Sequence, residues 1–121
     1  DMMIGAAAAI IGHVYPIYYK FNGGKGAATV LGSLIALCPM SIPYILTVWV
    51  LLVVLSGYVG ISTILATLTL FIYSMVYLNF NYQIFGFLVF LFILFTHRQN
   101  IIRMIRGSEN RFTKVMIFKR K

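Results

Sequence analysis

Two stretches of this chain carry side chains able to do chemistry, and a long uncharged middle separates them. The first is Gly12-His13-Val14-Tyr15-Pro16, then Phe21-Asn22-Gly23-Gly24-Lys25-Gly26-Ala27-Ala28-Thr29. Three glycines surround one lysine just before an apolar run that reads as a helix. Glycine lets backbone N–H groups approach a ligand closely. A helix N-terminus offers unpaired N–H donors and a partial positive charge, and Lys25 adds a full one. Such a loop can cradle a phosphate. It is not a Walker loop, because Tyr19 stands where that motif needs its first glycine. A glycine turn with a lysine is also what a connection between two membrane helices supplies on topology alone. His13, three residues before Pro16, reads by itself as a packing residue more readily than as a catalyst.

The second stretch, His97-Arg98-Gln99-Asn100-Ile101-Ile102-Arg103, ends the last apolar run, and Gly107-Ser108-Glu109 follows. His97 and Asn100 are three apart, so a continuing helix would carry both on one face, with Arg103 extending it. Anchoring of a helix end at a membrane surface accounts for Arg98 and Arg103. It accounts poorly for Asn100 and for Glu109, which with Asp1 completes the acidic residues.

The elements that must position these residues are membrane helices. Hydrophobic residues make up 61% of the 121 residues and charged residues 10%, against roughly 25% charged in a soluble domain. Mean hydropathy is +0.94. No charge falls between Lys25 and Arg98. The expected fold is therefore all-α, a polytopic transmembrane helix bundle forming one domain over 1–121, with a basic tail over 106–121. Five apolar segments are expected: Met2 to Tyr19, Ala27 to Leu37, Pro43 to Leu55, Val59 to Leu78 and Tyr82 to Thr96. Joined, segments two and three would run roughly 43 Å at 1.5 Å per residue, more than the ~30 Å hydrocarbon core. Pro39 and Pro43 each remove a backbone hydrogen bond between them, so two short helices are expected there.

Charge placement leads to the same count. Five crossings put all ten Lys and Arg residues on one side and Asp1 on the other, as the positive-inside rule prefers. The glycine loop, the Ser56–Gly60 turn and the C-terminal tail are then expected in the cytoplasm. The basic tail reads as a surface-lying piece, not as a nucleic-acid arm. One cysteine, Cys38, allows no internal disulfide. Thr47, Ser62, Thr63, Thr67, Thr69 and Ser74 are the main polar groups within the spans, and each can bond its own helix backbone. That disfavours a translocation path, which would need polar groups near mid-membrane. Gly5, Ala9 and Gly12 form a small-residue stripe suited to close helix contact. Trp49 is expected to pack inside its span, and the Phe-rich run from Phe85 to Phe95 to face lipid.

With both motifs in view, the sequence resembles the PlsY family, acyl-phosphate:glycerol-3-phosphate acyltransferases of bacterial membranes. Gly12-His13-x-x-Pro16 with Gly23-Gly24-Lys25-Gly26-x-Ala28-Thr29 is similar to that family's second motif. His97-Arg98-x-Asn100-Ile101-x-Arg103 with Gly107-x-Glu109 is similar to its third. The order of the two motifs along the chain also fits the family. The resemblance covers essentially the whole chain. It implies a seven-span enzyme of the bacterial inner membrane, C-terminus cytoplasmic, that forms lysophosphatidic acid from glycerol-3-phosphate and acyl phosphate beside membrane lipid. No cofactor, metal or nucleic acid is implied. Gly23, Gly24, Lys25, Gly26 and Thr29 would hold the phosphate of glycerol-3-phosphate, and His13 would be a substrate-binding residue with them. His97 and Asn100 would be catalytic. Arg98 or Arg103 would balance substrate charge, and Glu109 would position a basic partner or close the site.

Two features differ from the family. Its first motif, a Gly/Ser/Asn-rich loop, has no counterpart here, and the chain opens where the third span would; a C-terminal portion of a longer protein is expected. The basic residue and serine usual before the sixth span are replaced by Gly57 and Gly60, with Ser62 as a substitute two positions late. The His-x4-Asp motif of other acyltransferases is absent: Tyr18 follows His13 and Ile102 follows His97. The reading from a different class is a non-catalytic membrane module, either an inactive shortened relative or a small transporter subunit.

Overall fold

The structure, a computed structural model, describes residues 1–20 and 22–115; Phe21 and 116–121, the end of the basic tail expected over 106–121, lie outside the described residues. The described elements are helical: α1 (Met2–Val14), α2 (Ala27–Leu37), α3 (Ile42–Ser56), α4 (Val59–Tyr77), α5 (Phe80–Thr96) and α6 (Arg98–Ile105), with short 3-10 turns at Ile17–Tyr19, Pro39–Ser41 and Thr113–Val115. In lipid the backbone has no water to bond, so each crossing segment must satisfy its own polar groups as a helix.

Five apolar helices stand at the expected places, but they are unequal in length. Three helical stretches are long and apolar enough to cross a membrane: Met2–Tyr19, Pro39–Ser56 and Val59–Tyr77. A fourth crossing is reached if α5 and α6, bent by 53° at His97, are taken together. The 11 residues of α2 rise only roughly 16 Å at 1.5 Å per residue, about half of the hydrocarbon core. The expectation of five full crossings therefore exceeds what the helix lengths support. The join at Pro39 is the proline break expected between segments two and three.

The chain divides into two compact units, 1–42 and 43–121. In the first, α1 packs on α2, and α2 on the Pro39–Ser41 turn. Asp1 caps α1, its carboxylate accepting from Met3 N at 3.0 Å. The buried face of α1 is Ala6, Ile10 and Val14, and that of α2 is Val30, Leu34 and Leu37, both at helical spacing. The small-residue stripe does not take part: Gly5 and Gly12 have open space where a Cβ would stand. Cys38 and Ser41 close α2, the buried Ser41 hydroxyl donating to Cys38 O at 2.8 Å.

In the second unit α4 is the most buried span and packs on α5 and α6. Apolar burial gives little driving force between helices in lipid, so contacts and interhelical hydrogen bonds carry the association. Trp49 Nε1 donates to Thr63 Oγ1 at 3.1 Å, joining α3 to α4. At the other end of this antiparallel pair the rings of Tyr44 and Tyr73 lie 5.3 Å apart. Between α4 and α5 the approach is close at Gly86, where a Cβ would stand 3.3 Å from Phe71 Cα and 3.0 Å from Ser74 Oγ. Thr47, Ser62, Thr63, Thr67, Thr69 and Ser74 all donate to carbonyls of their own helices, as expected. In the aromatic run, Phe85 is buried, Phe90 and Phe92 are half-buried, and Phe87 and Phe95 are exposed, so the run is not the uniformly outward-facing bulk expected.

Candidate active site

The glycine loop is shaped by the end of α1. Tyr15 precedes Pro16, which disfavours helix at that position, and α1 stops at Val14. The chain then makes one 3-10 turn and passes Lys20 in the left-handed region (φ 54°). At Gly23 it runs directly over the α1 terminus. A Cβ there would collide with the carbonyl oxygen of His13 and stand 2.7 Å from Val14 O and Pro16 Cδ. At Gly24 a Cβ would lie 2.5 Å from His13 Nε2. Both glycines are thus required by close approach, and the His13 ring is the surface on which Gly24 rests. This contact was not legible in the spacing, which gave His13 only a packing role.

Gly26, with φ 85°, is the N-cap of α2 and offers no capping side chain. Left-handed backbone of this kind suits glycine. Val30 N donates to Gly26 O at 2.9 Å, closing the first turn. The N–H groups of the first helical residues beyond Gly26 therefore meet no side-chain cap, which is the electrostatic feature that suits an anion. Lys25 is exposed beside them, and Thr29 is half-buried one turn in.

The second cluster is built around the bend between α5 and α6. His97 is 4% exposed. Its Nδ1 lies 2.9 Å from Ile93 O and 3.2 Å from Thr96 Oγ1. A carbonyl can only accept, so Nδ1 carries the hydrogen and the neutral ring has its lone pair on Nε2. The helix does not continue smoothly through His97. It bends there, and His97 becomes the N-cap of α6, so the shared face expected from three-residue spacing is broken by the bend. His97 and Asn100 stay linked through backbone, Asn100 N donating to His97 O at 3.0 Å.

Gly107 (φ 73°) ends α6 in a Schellman turn, with Ser108 N on Arg103 O at 2.8 Å and Gly107 N on Met104 O at 3.2 Å. That reversal returns Glu109 to the helix it has just left. Asn100 Nδ2 donates to Glu109 Oε1 at 3.4 Å. Arg103 Nε lies 3.3 Å from Glu109 Oε2, a charge pair whose N–H is not aimed well enough to count as a hydrogen bond to that buried oxygen. Asn100, Arg103 and Glu109 therefore form one group, and Arg103 is charge-balanced by the protein itself. Arg98 lies outside it: its guanidinium donates to Phe95 O at 2.9 Å and stacks 4.2 Å from the Phe95 ring centroid. With the arginine half exposed, breaking the pair is expected to cost about 1–2 kcal/mol. Glu109→Gln should lower the thermal midpoint of the detergent-solubilised protein accordingly; an unchanged midpoint would show the pair to be idle.

Gly60, in the place of the serine usual before the sixth span, fits against Asn100. A Cβ at Gly60 would lie 2.7 Å from both Asn100 Cβ and Nδ2. The small residue is thus matched to the side chain it receives. Ser62 is no substitute, being fully buried with its hydroxyl donated to Tyr58 O at 2.6 Å. Two further residues were not singled out from sequence. Arg111 and Phe112 fold back onto the α3–α4 turn, with Arg111 Nε on Ser56 O at 3.2 Å and Phe112 N on Gly57 O at 2.7 Å.

The model of the glycerol-3-phosphate acyltransferase family matches residues 1–107. Relatives described as glycerol-3-phosphate acyltransferase include one from Chlorobium luteolum, 36% identical over 92% of this chain and 58% of the relative. Another, from Endomicrobium trichonymphae, is 42% identical over 96% of this chain and 57% of the relative. A crystal structure of PlsY, an integral membrane glycerol 3-phosphate acyltransferase in its glycerol 3-phosphate form, superposes with a TM-score of 0.87 at 32% identity. It covers 91% of this chain and 56% of that one. The same protein in its lysophosphatidic acid form gives 0.86. The chain spans about half the length of the curated relatives it matches.

Proposed function

Because this chain belongs to the glycerol-3-phosphate acyltransferase family, we propose that the protein of which it forms the glycine loop and the α5–α6 corner transfers an acyl group from acyl phosphate to the sn-1 hydroxyl of glycerol-3-phosphate. The products are lysophosphatidic acid and inorganic phosphate. The observation that carries this reading is the pairing, in one chain, of an uncapped glycine–lysine helix start with a buried histidine whose tautomer leaves Nε2 basic. The two PlsY structures, in forms named for glycerol 3-phosphate and lysophosphatidic acid, support it.

In this reading the glycine loop and Lys25 hold the phosphate of glycerol-3-phosphate, with Gly23, Gly24, Gly26 and Thr29 shaping the cradle and His13 supporting Gly24. The hydroxyl oxygen attacks the acyl carbonyl carbon, the bond from that carbon to the phosphate oxygen breaks, and phosphate leaves with the electron pair. The hydroxyl proton passes to His97 Nε2 as general base. Asn100, oriented by Glu109 and seated on Gly60, donates to charge developing at the reacting groups. Of the two arginines expected to balance substrate charge, Arg103 is paired through Nε with Glu109 and Arg98 is held through Nη1 on Phe95 O, so each would meet substrate with its remaining N–H groups. An acyl phosphate is already activated, so positioning supplies much of the rate. The protein resides in the bacterial inner membrane, with the glycine loop and tail on the cytoplasmic side, where soluble glycerol-3-phosphate is found.

The test is transfer of labelled acyl groups from acyl phosphate to glycerol-3-phosphate by the purified protein. Absence of transfer from the folded full-length protein would leave the non-catalytic module as the reading. Lys25→Ala should raise KM for glycerol-3-phosphate about 10- to 100-fold, as expected when a hydrogen bond to a charged group worth about 1.5–3 kcal/mol is lost. An unaltered KM removes Lys25 from the phosphate site.

A further inference from the structure

Beside the α3–α4 turn lies a cavity of about 330 Å³, walled by Trp49, Val50, Val53, Val54, Val59 and Phe112. Its lining is wholly apolar, and its volume falls within the roughly 300–1,000 Å³ of ligand-binding clefts. Five of the six walls come from α3 and α4. The sixth, Phe112, is brought in by the segment after α6. Glu109 anchors that segment at one end through Asn100 and Arg103. The Phe112 N–H anchors it at the other, on Gly57 O.

The same segment sets a cation next to that sixth wall, on the residue before Phe112. Arg111 donates from Nε to Ser56 O at 3.2 Å, and its guanidinium carbon stands 5.2 Å from the Tyr58 ring centroid. These two contacts fix the plane of the guanidinium but leave both Nη groups without a hydrogen-bond partner among the described residues, and Arg111 is exposed. The sequence has only two acidic residues. Glu109 is committed to Arg103, and no ion pair joins Arg111 to Asp1 among the described residues. Among the described residues Arg111 therefore presents a planar fork with no carboxylate against it, the geometry that binds phosphate through two parallel hydrogen bonds. An apolar cavity with such a fork on the turn that joins two of its walls complements an amphiphile with one chain and a terminal phosphate.

We propose that Arg111 and this cavity form a subsite for a single-chain lipid phosphate, the chain lying along Trp49, Val53 and Phe112 and the phosphate on the Arg111 Nη groups. The inference deepens the acyl-transfer reading, since both acyl phosphate and lysophosphatidic acid have this chemistry, and it makes Arg111 a positioning residue for that headgroup. Charge complementarity selects this occupant over a bulk zwitterionic phospholipid, whose own cation would meet Arg111.

Trp49 is the single tryptophan of the chain and lines the cavity, so its emission reports occupancy; a Trp49→Phe control isolates that signal. The protein in zwitterionic nanodiscs is titrated with chain-brominated lysophosphatidic acid and with chain-brominated lysophosphatidylcholine. The phosphate lipid should quench at about tenfold lower concentration, the effect of one charge-assisted contact. Arg111→Ala should abolish that preference, and Arg111→Lys should keep part of it. Val53→Trp, read by competition against acyl phosphates of graded length, should shift binding toward shorter chains. Displacement of the brominated lipid by unbrominated acyl phosphate assigns the subsite to the donor; displacement only by lysophosphatidic acid assigns it to the product. Equal quenching by the two headgroups, or a preference that survives Arg111→Ala, overturns the proposal. Because the readout is binding, a protein that binds but fails to transfer acyl groups would remove the enzyme reading and leave the subsite standing.

Discussion

Replacing His97 by alanine is expected to lower kcat for acyl transfer by about 10²- to 10⁴-fold, the range for loss of a positioned general base, with KM for glycerol-3-phosphate changed only a few-fold. The reason lies in the tautomer. The Nδ1–H is held by Ile93 O at 2.9 Å, so the basic lone pair sits on Nε2. His97 also occupies the 53° corner between α5 and α6, and a purely structural role would lower activity as well. His97→Asn separates the two. Its amide N–H can replace Nδ1–H on the Ile93 carbonyl and hold the corner, yet it supplies no base. A rate as low as that of the alanine variant marks His97 as the proton acceptor. Recovery in the asparagine variant marks it as a corner residue and leaves the proton to the substrate's own phosphate.

The second large effect is expected at Gly23. Gly23→Ala should raise KM for glycerol-3-phosphate by about 10²-fold, the order expected when a binding group is displaced by about 1 Å. A Cβ at this position meets the His13 and Val14 carbonyl oxygens and the Pro16 ring. The carbonyls belong to the end of α1 and cannot turn aside, so the loop must lift away. Gly24→Ala should be milder, because its Cβ meets only the His13 imidazole at 2.5 Å, a side chain able to rotate. The double variant His13→Ala/Gly24→Ala should then recover most of the affinity lost in Gly24→Ala, while His13→Ala should rescue Gly23→Ala hardly at all. The coupling energies of these two cycles are the measurement. Equal behaviour at the two glycines would contradict the close packing on which the expectation rests.

Composition and local pattern reached far in this chain. An uncharged stretch from Ala27 to His97 has no aqueous surface to occupy, so helices in lipid follow from solvation alone, and prolines and glycines mark their ends. The residue types of both motifs were equally visible, because glycine, lysine and histidine carry their chemistry wherever they stand. Helix bounds were legible too: α2 spans the Ala27–Leu37 expected from the glycine loop before it and the prolines after it.

What the tertiary structure decided were relations between residues far apart in sequence. Gly60 receives Asn100 across a gap of forty positions, and Arg111 reaches Ser56 across fifty-five. No periodicity encodes such pairs, because they depend on where α6 bends and where Gly107 turns the chain back. The same physics explains why Arg98 and Arg103, alike on paper, differ in place. One lies over an exposed phenylalanine at the end of α5, while the other meets the single carboxylate that the Gly107 reversal brings home. Chemistry-bearing side chains are a property of the sequence; which of them share a partner is a property of the fold, because partnership is set by distances that only packing determines.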